Sequence, residues 1–145
     1  MYYIVLDGDN VGDLLEHFIL AENIEKLKDF SQQISSCFNE FSKHITKKGE
    51  NKNVVTILNG GDSLMLHVQD NLLRYVLNKI IQYFFHGNSC PCTVSVGVGK
   101  SLIDAYLALK FAKSTGKNKI VLLNNINIRG NFEVLYPSLN NNITQ

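Results

Sequence analysis

Apolar residues run almost unbroken from Met1 to Leu6 and stop at Asp7-Gly8-Asp9, which predicts a short buried strand closed by a polar turn. The spacing then becomes helical. Val11, Leu14, Leu15 and Phe18, followed by Ile24, Leu27, Phe30, Ile34, Phe38, Phe41 and Ile45, predict a short and a long helix between Val11 and Lys47, with Asn23 capping the second. Lys47 to Lys52 reads as a polar loop. Val54 to Leu58 and Leu64 to Val68 are strand-like, and Asn59-Gly60-Gly61-Asp62 between them has hairpin-turn composition. Leu72 to Phe85 returns to helical spacing, started by Asp70 or Asn71 and stopped by Gly87. Thr93 to Gly99 alternates as a fourth strand, Leu102 to Ser114 is a helix ended by Gly116, and Ile120 to Leu123 is a fifth strand. The order βαββαβ followed by αβ predicts an α+β, ferredoxin-like domain over residues 1–124, its helices on one face of a mainly antiparallel sheet. Residues 125–145, rich in Asn, are expected as a partly ordered C-terminal extension with a weak strand near Phe132 to Tyr136.

Composition narrows the class without naming a function. With 145 residues, 45% hydrophobic and 19% charged, and a mean hydropathy of -0.02, the chain suits one globular domain. A net charge of +1 argues against a protein that coats long nucleic acid. That sum conceals a split: residues 1–70 hold 11 acids and 6 bases, whereas residues 71–145 hold 2 acids and 8 bases. No leader-like opening and no apolar run of membrane-spanning length is evident, so neither a membrane anchor nor direct insertion is expected. Cys37, Cys90 and Cys92 form no even framework, and Cys90-Pro91-Cys92 is too tight for a comfortable disulfide. Half-buried free thiols in a reducing cytoplasm are expected. The spacing of His17, His44, His67 and His86 suggests neither metal nor triad.

Two acids stand where strands end. If the first strand lies beside the hairpin, Asp7, Asp62 and the Gly8 carbonyl offer hard oxygen ligands suited to Mg²⁺. Ordinary turn chemistry accounts for the same residues equally well. Lys113 and Lys117 fall one helical turn apart, a spacing that suits phosphate but also an ordinary solvated face.

Taken together, Asp7-Gly8-Asp9-Asn10-Val11-Gly12, Gly60-Gly61-Asp62-Ser63, Ser95-Val96-Gly97-Val98-Gly99 and the stretch from Ala112 to Lys119 occur in the order seen in GGDEF-type palm domains. The resemblance runs to about Leu123. Its first motif looks less like a diguanylate cyclase than like the palm of the large subunit of type III CRISPR complexes, and a chain this short is most similar to the minimal CRISPR polymerase (mCpol) family. That resemblance implies a metal-dependent nucleotidyl transferase that converts nucleoside triphosphates, ATP foremost, to a cyclic dinucleotide or short cyclic oligonucleotide. It implies Mg²⁺ or Mn²⁺ at Asp7, the Gly8 carbonyl and Asp62, with Asp7, Asp62 and Asp9 catalytic. Nucleotide would be held by Asp9, Asn10, Val11, Gly12, Gly61, Lys113 and Lys117, the two lysines gripping the leaving phosphates. A homodimer, a separate cyclic-nucleotide effector and a place in cytoplasmic antiphage defence are implied with it. Three positions depart from the pattern. Ser63 stands where the signature has an acid, Leu15 where diguanylate cyclases read guanine with Asn, and residues 53–59 carry no Arg-x-x-Asp inhibition motif. Ser63 leaves open a palm that binds nucleotide without turnover, and a cyclase making a cyclic mononucleotide is the other alternative.

Overall fold

Alternation along the strands decides which helices lie on which side. In the computed structural model, which describes residues 1–46, 53–124 and 131–137, strand β1 (Tyr2–Gly8) turns Ile4 and Leu6 to one face and Tyr3 and Val5 to the other. It lies at the centre of the sheet. Strands β2 (Val54–Asn59), β3 (Ser63–Val68), β4 (Val94–Gly99), β5 (Lys119–Asn124) and β6 (Asn131–Pro137) complete the order β2-β3-β1-β4-β5-β6. Among the described strands β4 and β5 run parallel and the other neighbours antiparallel. The first four strands in this order have the ferredoxin-like arrangement expected from the pattern. The weak strand near Phe132 is β6, which pairs with β5 from Asn124↔Asn131 to Lys119↔Pro137. The polar loop at Lys47 to Lys52 lies outside the described residues.

The larger core forms beneath α1 (Val11–Leu20), α2 (Ile24–Thr46) and α3 (Leu73–Ile80), where Phe38, Phe41 and Phe84 meet Leu6, Leu64, Leu66, Val96 and Ile120. Phe41 and Phe84 pack edge to face at 5.0 Å. Asn23 caps α2 as expected, its Oδ1 accepting from the Lys26 amide at 3.1 Å. The helix predicted to Phe85 departs from α geometry after Ile80 and finishes as a wide π-type turn over Ile81–Phe85. This turn aims Phe84 at Phe38 and Phe41 while Phe85 packs on Tyr136. Gly87 stops it, because a Cβ there would stand 2.4 Å from the Tyr83 carbonyl oxygen.

The expectation that all helices share one face is corrected by α4 (Leu102–Ser114), which packs on the other side. Its Ala105 and Leu109 meet Val5, and Ala108 and Ala112 meet Val121 and Leu123. Close approach is what the small residues of β4 allow. A Cβ at Gly97 would lie 2.0 Å from the Ala105 carbonyl oxygen and 2.3 Å from the Leu109 nitrogen, and one at Gly99 2.5 Å from the Ala105 nitrogen. The helix therefore rides on bare backbone. No helix among the described residues is long and apolar enough to cross a membrane.

Candidate nucleotide and metal site

The ends of β1, β3 and β4 meet the C-terminal end of α4. Asp7 pairs with Ser63 on one side and Ser95 on the other, so those three side chains share the α4 face of the sheet. At that corner the Lys113 ammonium is surrounded by oxygen. It donates to the Gly8 carbonyl at 2.8 Å, to Asp9 Oδ1 at 2.8 Å and to the Asp7 carbonyl at 3.4 Å, and it lies 3.0 Å from Asp7 Oδ2. Burial alone would push the Lys113 pKa down. Hydrogen bonds and charge from Asp9 and Asp7 more than reverse this and hold it above the usual lysine value.

Asp9 does not line an open nucleotide surface. Its side chain is 0% exposed and takes hydrogen bonds from Thr93 Oγ1 at 2.8 Å, Ser95 Oγ at 2.7 Å and the Asn118 amide at 3.0 Å, besides Lys113. With its carboxylate engaged by these four donors, Asp9 is held inside the corner rather than on its open side. What it does is hold a turn. Gly116, Lys117 and Asn118 follow α4 with φ of 108°, 60° and 49°, and for two of these left-handed conformations is costly. The Lys117 amide closes the helix end on the Ala112 carbonyl at 2.9 Å, and Asp9 fixes the far side through Asn118.

Lys113 and Lys117 are consequently not successive residues on one helical face, because α4 ends at Ser114. Lys117 instead reaches across to the Asn10 side chain, itself in left-handed conformation at φ 58°. Gly12 is open, with nothing within 4 Å of a Cβ built there.

Asp62 stands next to this corner. Its carbonyl accepts from the Gly8 amide at 2.8 Å after Gly61, at φ +83°, has turned the chain. With Val11, Leu15, Ser31, Ile34, Ser35, Gly60 and Gly61 it lines a groove of about 180 Å³ between α1, α2 and the hairpin. Among the described residues no three His, Cys, Asp or Glu side chains form a metal cluster. The donor set nonetheless suits a hard cation. Lys113 already places a positive charge against the Asp7 carboxylate and the Gly8 carbonyl, and Mg²⁺ commonly takes one or two carboxylates and fills the rest with water and substrate phosphate.

The family model described as the minimal CRISPR polymerase domain matches residues 3–123. The chain belongs to the minimal CRISPR polymerase family. No curated protein matches its sequence. Among solved structures it is similar to a chain of the Csm1-Csm4 cassette crystallised with cA4, at TM-score 0.63 and 18% identity over 83% of this chain. It spans only 20% of that chain's length. A diguanylate cyclase/phosphodiesterase from Caldicellulosiruptor saccharolyticus matches at TM-score 0.58 and 19% identity, covering 88% of this chain and 78% of that one. The GGDEF domain of DgcB from Caulobacter crescentus, in complex with c-di-GMP, matches at TM-score 0.51 and 14% identity, covering 83% and 76%. At these identities the likeness establishes the fold, that of GGDEF and CRISPR-polymerase palms. The residues of this site that sequence reasoning did not single out are Thr93, Ser95, Asn118, Ser31 and Ser35. Ser95 left a trace, a polar residue among valines at a core position of β4, where it is fully buried.

Proposed function

We propose that this minimal CRISPR polymerase joins nucleoside triphosphates, ATP foremost, into a cyclic dinucleotide or short cyclic oligonucleotide and releases pyrophosphate. The observation that carries the reading is the oxygen-lined cation position at the ends of β1 and β3, formed by the Asp7 carboxylate and Gly8 carbonyl beside the Gly60-Gly61-Asp62 turn. Asp7, the Gly8 carbonyl and Asp62 would hold Mg²⁺ or Mn²⁺, which supplies charge neutralisation at the phosphates and acidifies the attacking ribose hydroxyl. In the step itself the hydroxyl oxygen of one nucleotide forms a bond to the α-phosphorus of another. The bond to the bridging oxygen breaks, pyrophosphate leaves, and the hydroxyl proton passes to solvent. Ser63 provides no carboxylate to take that proton, and Asp9 is committed to Lys113 and the Asn118 turn.

Lys117 and Lys113 hold the departing phosphates. For Lys113 this requires exchange: its ammonium moves from the Asp7 and Gly8 oxygens to phosphate while Asp9 retains its three neutral donors. Asn10, Val11, Gly12 and Gly61 surround the triphosphate, the open surface at Gly12 giving backbone access. The base lies in the groove of Leu15, Ser31 and Ser35. Leu15 offers no polar group to read guanine, which supports ATP. Two linkages per ring call for two chains facing each other as a homodimer. Family membership supports cytoplasmic antiphage defence with a separate effector that reads the product.

The test is a reaction of the purified chain with all four ribonucleoside triphosphates and Mg²⁺, followed by mass spectrometry and pyrophosphate release. A cyclic adenylate is expected, abolished by Asp7→Asn or Asp62→Asn. Nucleotide binding with no pyrophosphate would replace the enzyme by a binding palm, and a cyclic mononucleotide would replace ring closure between nucleotides.

A further inference from the structure

The groove of Ser31 and Ser35 lies on the β3 side of β1, and a larger cavity lies on the β4 side. It measures about 460 Å³, a size that admits a nucleoside, and Phe85, His86, Cys92, Thr93, Asn118 and Tyr136 are among its walls. Thr93 precedes β4, Asn118 precedes β5 and Tyr136 stands near the end of β6, so the cavity lies at the same end of the sheet as Asp7 and the Gly60-Gly61 turn. Among the described residues no carboxylate, lysine or arginine lines it, which suits an uncharged ring rather than a phosphate. The Tyr136 wall belongs to a strand beyond the residues 3–123 that the family model matches.

We propose that this cavity is a second base subsite, in which Asn118 reads the edge of an adenine. Given nucleotidyl transfer between triphosphates, on which this subsite rests, two bases must be held near one corner, and the groove of about 180 Å³ takes one of them. Asn118 stands in left-handed conformation at φ 49°, which Asn tolerates better than most residues. Its backbone amide is held there by Asp9 Oδ2 at 3.0 Å and Ser95 Oγ at 3.2 Å, while among the described residues its carboxamide makes no hydrogen bond. A carboxamide presents a donor and an acceptor in one plane, the pattern that matches adenine N7 and its exocyclic N–H. Phe85 and Tyr136, edge to face at 5.0 Å, supply an aromatic wall, and the Tyr136 hydroxyl is tied to His86 Nε2 at 2.6 Å.

Thr93 joins the cavity to the corner. Its hydroxyl donates to the Asp9 carboxylate at 2.8 Å and its carbonyl accepts from the Asp9 amide at 2.8 Å. Gly8, whose carbonyl faces Lys113, is the next residue along the chain. A base set against Asn118 therefore leaves its ribose at the rim beside residues 8 and 9, on the β4 side of the Asp7 and Gly8 oxygens, with the other nucleotide on the β3 side.

The experiment titrates adenosine into the full isotope-labelled chain without metal and follows its amide signals by NMR. Adenosine carries no phosphate, so base recognition is read alone. Saturable shifts are expected at the Thr93 and Asn118 amides and at the Asn118 carboxamide. Asn118→Gly keeps the left-handed turn and the backbone amide that Asp9 holds, removes only the carboxamide, and should weaken this binding about tenfold. Tyr136→Ala should weaken it from the opposite wall. In the wild-type chain purine riboside, which lacks the exocyclic amino group, should bind more weakly than adenosine, a comparison that needs no variant to fold. Shifts absent or confined to Leu15, Ser31 and Ser35, undiminished binding in Asn118→Gly, or equal affinity for adenosine and purine riboside overturns the proposal. Neither metal nor turnover enters this measurement. A palm that binds nucleotide without joining it therefore leaves the subsite standing, and a working synthase with no shift at Asn118 refutes the subsite alone.

Discussion

The two faces of the sheet are built by opposite means. Beneath α1, α2 and α3 the sheet buries large side chains, with Phe38, Phe41 and Phe84 in mutual contact, and the core there is a matter of volume. Under α4 the residues at β4 are small: Gly97 and Gly99 face Ala105 and its neighbours, and there helix backbone rests against strand backbone. The aromatic face supplies stability that many packings could supply. The small-residue face supplies position, since it sets the height at which α4 ends and thereby brings Lys113 to the Asp7 and Gly8 oxygens.

Gly97→Val tests that contrast most severely. Its new atoms would meet backbone of α4, which cannot rotate away, so the variant should fail to fold or lose more than about 4 kcal/mol, read as the shift of the urea midpoint. Phe41→Ala on the other face should cost about 3 to 5 kcal/mol in the same measurement but leave the corner geometry intact, so residual folded protein keeps its nucleotide affinity. Equal loss of affinity per folded molecule in both would erase the distinction.

Lys113→Met separates position from packing. It preserves the helix and removes the countercharge of a fully buried carboxylate, which should cost about 3 kcal/mol. Since Asp9 and Asp7 hold the Lys113 pKa above its ordinary value, its contribution is complete below the unfolded-chain value of about 10.4 and is lost as pH rises through the higher folded value. The stability gap between wild type and Lys113→Met should therefore stay level through neutral pH and narrow only in strongly alkaline solution. A gap that closes between about pH 6 and 9 would contradict the ion-pair geometry.

The smallest effect is expected at Gly12. With open space around it and a helical position in α1, Gly12→Ala should raise stability by about 0.5 to 1 kcal/mol while weakening nucleotide binding, if backbone approach at Gly12 is what phosphate needs. Improved stability with unchanged affinity would remove Gly12 from the nucleotide surface.

Much of this molecule could be read from one dimension. Hydrophobic period located the strands and helices, and the Gly116 stop fell where the Schellman-type closure forms. The acidic first half and basic second half do meet, at Asp7, Asp9 and Lys113. The burial of Asp9 was not legible, because a carboxylate in a glycine turn has the same sequence signature whether it points to solvent or inward. Its donors Thr93, Ser95 and Asn118 lie more than eighty residues away along the chain. Lys117 misled for a related reason: helical spacing was counted across a helix end whose left-handed turn sends the side chain toward Asn10.

Local propensity and periodicity are properties of neighbouring residues, so the sequence by itself determined the elements, their order and the family. Which face α4 covers, which carboxylate is buried and which oxygens surround Lys113 depend on contacts closed over about a hundred residues. Those were decided by the tertiary structure, through the backbone contact that the β4 glycines permit and the burial that Asp9 can tolerate only because Lys113, Thr93, Ser95 and Asn118 satisfy it.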